Sequence, residues 1–166
     1  MPLKQSDLLK SSLFKDVRIL AVDNDRDSGA LYRALFESYS ATVITAESVK
    51  EALSLLNQFV PDVLVCEARF LGESVVPLIQ QVRSIAQDRH KLILIFVTST
   101  CPVLNLTQHL KTTVEVYQIK PVDLDQFVAE VWKFILPLKI TLPFTVYDDL
   151  TILDRRKTAC CCEEVG

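Results

Sequence analysis

Four short polar clusters in this sequence could do chemistry, and each directly follows an apolar run: Asp23-Asn24, Glu67, Thr98-Ser99 and Lys120-Pro121. Taken singly, each has an ordinary reading beside a functional one. Asp23 and Asn24 suit a cation, but short polar side chains also cap helices by satisfying the free N–H groups of a first turn. Lys120-Pro121 alone reads as a turn, and Thr98 as a strand-end hydroxyl. Other chemistries find little support. His90 and His109 are the only histidines, and neither has a second ligand at metal-binding spacing. Ser28-Gly29 is no phosphate loop, because the chain holds only three glycines and none form a cluster. Asp23 as a hydrolytic nucleophile would leave Glu67 and Lys120 without roles.

Composition narrows the field before any element is placed. The chain has 166 residues, 49% hydrophobic and 23% charged, which suits one soluble domain plus a modest extension. A net charge of −3 gives no electrostatic reason to expect nucleic acid or an anionic membrane as partner. No apolar run is long enough for a membrane span, and residues 1–16 lack the apolar stretch of a secretory signal. Of five cysteines, Cys66 and Cys101 lie in or beside apolar runs and Cys160-Cys161-Cys162 are adjacent. Neither pattern is a disulfide framework, so a reducing, cytoplasmic setting is expected.

Two periodicities alternate along the chain and position the polar clusters. Val17 to Val22 is a short run rich in aliphatic residues, as a buried parallel strand should be. Leu31 and Leu35 then recur at helical spacing through about Tyr39. Thr42 to Thr45 predicts a second strand, and Ser48 with Glu51 supplies a capping box for a second helix. Pro61 breaks that helix before a third strand, Asp62 to Cys66. Val75 to Ile85 predicts a third helix. Leu92 to Val97 is the most apolar strand and is expected at the sheet centre. A weaker helix is expected from Pro102 to about Leu110, then a last strand over Val114 to Ile119. Asp123 caps a final helix that Pro137 is expected to end.

Alternating strands and helices imply a parallel sheet covered on both faces. Such sheets bind ligands outside the carboxyl ends of their strands, and the four polar clusters all fall there. Packing alone gives no reason for that coincidence.

Together these segments, ILAVDNDRD, DVLVCEARF, LIFVTST and YQIKPVD, resemble the receiver domains of two-component response regulators, over Val17 to Leu136. The resemblance implies a flavodoxin-like (CheY-like) α/β fold with a five-stranded parallel sheet of order 2-1-3-4-5. It also implies that Asp23 and the residue after it hold Mg²⁺, that Thr98 contacts a phosphoryl group, and that Lys120 pairs with it. Tyr117 matches the aromatic that turns inward in many active receivers, and Arg83 an arginine common in the third helix. The phospho-acceptor position is Glu67, where the family has aspartate. Further departures are Asn24 for the second acid, Arg69 two residues beyond the acceptor, and Phe70-Leu71 for the usual Met-Pro.

These departures have physical consequences. Phosphoryl transfer to a carboxylate needs a divalent cation to neutralise donor and nucleophile. Asp23, Asn24 and Glu67 bring two formal charges where the usual site brings three, so Mg²⁺ binding is expected to be weak. The added methylene of Glu67 moves its oxygens by about one bond length, and a misplacement of about 1 Å can cost about a hundredfold in rate. Arg69 adds positive charge beside the cation position. The expectation is a non-enzymatic signalling module, independent of phosphorylation, that docks on a kinase, regulator or effector protein and is a candidate homodimer. Two alternatives stand beside it: a conventional Mg²⁺-dependent regulator, and a flavodoxin-like ligand-binding or enzymatic domain. The acidic loop after the first strand, Asp23 to Asp27, would repel a flavin phosphate. The domain is expected over 17–136, preceded by a lead-in over 1–16 and followed by an extension over 137–166 that carries the cysteine run near its end.

Overall fold

A computed structural model describes residues 12–70, 72–100 and 114–140. Five strands, β1 (Arg18–Val22), β2 (Thr42–Ala46), β3 (Val63–Glu67), β4 (Leu94–Ser99) and β5 (Val116–Ile119), form one sheet in the order β2-β1-β3-β4-β5. Every neighbouring pair is parallel. The described helices are α1 (Arg26–Glu37), α2 (Val49–Leu55), α3 (Val76–Asp88) and α4 (Leu124–Ile140). The expected helix from Pro102, together with Cys101, Leu71 and the cysteine run, lies outside the described residues.

Strand side chains alternate between faces, and the interior divides accordingly. Leu20, Val22, Leu64, Cys66, Ile95 and Val97 pack under α2 and α3. Ile19, Ala21, Val63, Val65, Leu94 and Phe96 pack under α1 and α4. Both β3 and β4 are buried along their whole length. The sheet centre is β3, not the more apolar β4, because β3 alone has two strands on either side.

Local capping follows the residue chemistry. Asp25 caps α1, accepting hydrogen bonds from the N–H groups of Asp27 and Ser28, and its Ser28 hydroxyl partner holds its carboxyl below the usual range. Ser48 caps α2 by accepting from Glu51 N–H. The Glu51 carboxylate reaches back to Glu47 N–H at 2.8 Å, one residue before the expected partner of a capping box.

Two boundaries differ from expectation. Phe14 is fully buried and meets Phe36, Tyr39 and Trp132 edge-on, with ring centroids 5.5–5.9 Å apart. Phe14 N–H donates to the Tyr39 carbonyl at 2.9 Å. The helix α4 also continues through Pro137 to Ile140. Proline removes one donor from the helical ladder, but tertiary contacts hold the final turn. Ile135 is buried, and Lys139 Nζ donates to the carbonyls of Lys15 at 2.6 Å and Leu13 at 3.4 Å. The folded unit thus begins before Val17 and runs past Leu136.

Candidate functional site at the carboxyl edge of the sheet

The parallel register brings the sequence-predicted residues to one edge. Glu67 ends β3 directly opposite Thr98 of β4, and Ala68 N–H donates to the Thr98 carbonyl at 2.7 Å. Asp23 follows β1, with its N–H donating to the Ala46 carbonyl at 3.1 Å. Lys120 follows β5, held by a 2.8 Å bond from its N–H to the Ser99 carbonyl. By the period of two, Asp23, Glu67 and Thr98 continue the α1/α4 face of their strands.

At the centre, Lys120 Nζ lies 2.6 Å from Asp23 Oδ2 and 2.9 Å from Glu67 Oε2. The contact to Asp23 is a directed hydrogen bond. That to Glu67 is an ion pair without hydrogen-bond alignment. Asp23 is 2% exposed and Glu67 3%, so both carboxylates are desolvated and each needs compensation. The remaining oxygens also have partners. Asp25 N–H donates to Asp23 Oδ1 at 2.9 Å, and Arg69 N–H to Glu67 Oε1 at 3.2 Å. Burial alone would lower the Lys120 pKa, but the Asp23 and Glu67 carboxylates outweigh it and hold the ammonium above its usual range. Burial next to these carboxylates pushes the Cys66 thiol strongly upward, so Cys66 is an inert core residue.

A cavity of ≈ 570 Å³ opens over this pair and is lined by Asp23, Asn24, Glu67, Arg69, Thr100 and Lys120. Arg69 is placed by the loop after β3, which turns through Gly72 at φ 79° and closes with a bridge between Arg69 and Ser74. Glu73 of that loop accepts from Val49 N–H at 2.9 Å, tying the loop to the start of α2. Arg83 meets the Glu115 carboxylate at 2.9 Å and the Ile93 carbonyl at 2.9 Å. Glu115 also accepts from Ile95 N–H. This clamp joins α3 to the starts of β4 and β5, away from the site.

The structure gathers Asp23, Glu67 and Lys120, with Asn24 and Arg69 on the wall of the same cavity. Thr98 is buried beside them. Tyr117 sits opposite Val97 and packs with the α2/α3 core. Sequence reasoning missed Tyr32, a buried α1 residue that packs on Phe127 and lines a small cavity together with Lys120. Its only signal in the sequence was an aromatic at a core-facing helical position.

A crystal structure of a two-component response regulator from Clostridium difficile superposes with a TM-score of 0.65 at 18% identity, covering 74% of this chain and 98% of that one. A CheY-like receiver domain protein from Methanospirillum hungatei JF-1 gives 0.66 at 15% identity, covering 75% and 97%. Chemotaxis protein CheY4 of Vibrio cholerae gives 0.62 at 19%, covering 70% and 97%. The chain has the CheY-like receiver fold. No family model matches it. In sequence it is 32% identical over 114 residues to an uncharacterized 14.6 kDa protein in the sodA1 3′ region of Leptolyngbya boryana, covering 63% of this chain and 79% of that protein. The chain belongs to the same family as that protein.

The receiver resemblance implies Mg²⁺ at this edge, and the donor set fits a dedicated Mg²⁺ site poorly. Three of the four oxygens of Asp23 and Glu67 already accept directed hydrogen bonds, and the fourth, Glu67 Oε2, is ion-paired with the Lys120 ammonium that bridges the two carboxylates. Among the described residues no three His, Cys, Asp or Glu side chains gather as a metal-binding group. Octahedral oxygen ligation would require displacing Lys120. Among the same residues no helix is long and apolar enough to cross a membrane.

Proposed function

We propose that this receiver is a signalling module that acts through protein contact, with no phosphorylation cycle at Glu67. The observation that carries the reading is the Lys120 ammonium lodged 2.9 Å from Glu67 and 2.6 Å from Asp23. In a phosphorylated receiver the lysine would pair with the incoming phosphoryl group. Here the longer Glu67 side chain brings its own carboxylate to that lysine and supplies about one unit of charge where a phosphoryl group would bring nearly two.

Three features support the reading. Glu67 Oε1 accepts from the Arg69 N–H and Oε2 is ion-paired with Lys120, so the carboxylate is held at both oxygens. Asn24 supplies an amide where a second acid would strengthen cation binding, so Mg²⁺ at Asp23, Asn24 and Glu67 is weak. The exposed Arg69 side chain modulates the same cavity. Thr98, Tyr117 and Lys120 retain the positions of switch residues, and the partner is a protein, a kinase, regulator or effector in the cytoplasm. No turnover is involved.

Amide NMR spectra of the full chain, recorded before and after adding acetyl phosphate and Mg²⁺, test this. The reading predicts unchanged signals at Glu67, Thr98 and Lys120. A new, slowly decaying set of signals at those residues would show a phosphorylated state and overturn it.

A further inference from the structure

Lys120 reaches the site from the end of a weakly buried edge strand. β5 has four residues and a neighbouring strand on one side only. Its side chains are half-buried or exposed, whereas β3 and β4 are buried along their whole length. Apolar packing therefore fixes β5 less firmly than its neighbours. Yet the contacts of Lys120, 2.6 Å to Asp23 and 2.9 Å to Glu67, tolerate little displacement. A slip of one residue along β4 would carry Lys120 about 3.3 Å and turn its side chain to the opposite face.

The register is set at the other end of the strand. Glu115, directly before β5, holds both backbone groups of Ile95: its N–H donates to the Ile95 carbonyl at 2.9 Å, and its carboxylate accepts from the Ile95 N–H. Arg83 holds Glu115 in turn. One guanidinium nitrogen donates to both carboxylate oxygens at 2.9 and 3.1 Å, and another donates to the Ile93 carbonyl at 2.9 Å. A single side chain thus grips the approach to β4 and the start of β5 together. Arg83 has a fixed base, because Leu78, Ile79 and Val82 anchor α3 in the core. The Arg83 and Glu115 side chains are only 29% and 18% exposed, so solvent screens this pair less than a surface ion pair. From Phe96 opposite Val116 the ladder runs to Ser99 opposite Ile119, and Lys120 N–H closes it on the Ser99 carbonyl at 2.8 Å.

We propose that Arg83 and Glu115 are positioning residues for Lys120: their ion pair sets the register of β5 on β4 and so delivers the ammonium to Asp23 and Glu67. β5 is then pinned by charge at both ends, about 16 Å apart. Coupling between two such pins is reciprocal, so a protein contact that withdraws one of them loosens the other. This rests on the functional reading above for the role of Lys120 and adds the device that places it.

The test is amide hydrogen exchange of the full chain, with the Lys120 ammonium protons followed by NMR. Arg83→Met removes the clamp. Glu115→Gln is milder, keeping the shape and removing only the charge, and serves if Arg83→Met fails to fold. Lys91→Met breaks the partly buried ion pair to Asp62 between the approaches to β3 and β4, and is the matched control. In Arg83→Met the amides of Val116 to Lys120 are expected to exchange faster by roughly tenfold relative to those of Leu20 and Ala21 in β1, and in Glu115→Gln by a smaller factor. The ammonium signal, protected in the native chain, should broaden or vanish in both. The Lys91→Met chain should keep the native pattern. Native β5 protection and a native ammonium signal in the clamp variants would overturn the proposal. So would an equal loss of protection in β1 and β5, or release of β5 by Lys91→Met. These measurements contain no phosphodonor, so phosphorylation of Glu67 in a separate assay would sink the functional reading and leave their result standing.

Discussion

Lys120 and Glu67 face each other at 2.9 Å across the carboxyl edge of the sheet, joined by a residue type one methylene longer than a receiver normally carries there. Asp23 completes the contact from the other side at 2.6 Å. Two nearly inaccessible carboxylates share one ammonium, and their other oxygens accept backbone N–H groups. Two carboxylates and one ammonium leave a single formal negative charge, which Lys120 and the backbone N–H groups of Asp25 and Arg69 face directly.

Metal affinity follows from that balance. Mg²⁺ must displace Lys120 or bind at the rim with Asn24, so calorimetric titration is expected to show millimolar or weaker binding. Asn24→Asp adds the missing carboxylate and should tighten binding roughly tenfold, a gain of about 1.4 kcal/mol. A saturable one-to-one site at micromolar Mg²⁺ in the native chain would contradict the donor-set argument.

Lys120 makes a pH prediction whose sign is fixed. Its folded-state pKa is raised above the ordinary value of 10.5. The stability it confers is therefore fully present below the unfolded-state value and lost only as pH rises through the folded value. Lys120→Met strands two buried carboxylates and should cost roughly 3 kcal/mol. Measured by urea unfolding, the gap between native and variant chains should stay flat from about pH 7 to about pH 10 and narrow above it. A gap that closed near neutrality would mean that the ion pair is not formed.

Phe14 belongs to the core, and its loss should register as a core mutation. Phe14→Ala removes the ring between Phe36, Tyr39 and Trp132 and should cost about 3–5 kcal/mol. A chain begun at Val17 should lose at least as much, because the anchor for Lys139 at the Lys15 carbonyl goes too. Chemical unfolding of both variants checks this. An unchanged midpoint would place Phe14 outside the cooperative unit.

Much of this architecture was legible because its signals are local. Short aliphatic runs ending in Asp23, Glu67, Thr98 and Lys120 mark strand ends, and parallel topology does the rest by bringing those ends to one edge. Ser48 announced its own helix. What escaped depends on partners distant in sequence. Phe14 looks like one apolar residue in a charged lead-in until Tyr39 and Trp132 fold around it. Pro137 reads as a stop until Lys139 finds the Lys15 carbonyl. Capping of α1 was one of two readings for Asp23 and Asn24; Asp25 takes that role, and Asp23 pairs with Lys120. Tyr32 looked like any aromatic on a helix face, and only the fold brings it beside Lys120 in one small cavity.

The most direct measurement is the intact mass of the full chain after incubation with acetyl phosphate and Mg²⁺, compared across three substitutions. The account predicts no added phosphoryl mass on the native chain and little or none on Glu67→Asp, because the amide of Asn24 still leaves the cation weakly held. The double change Asn24→Asp with Glu67→Asp restores both the third carboxylate and a correctly placed nucleophile, so it should acquire one phosphoryl group. Removing Lys120 from that double variant, by Lys120→Met, should abolish the gain. A native chain that gained one phosphoryl group at Glu67 would contradict the central claim outright.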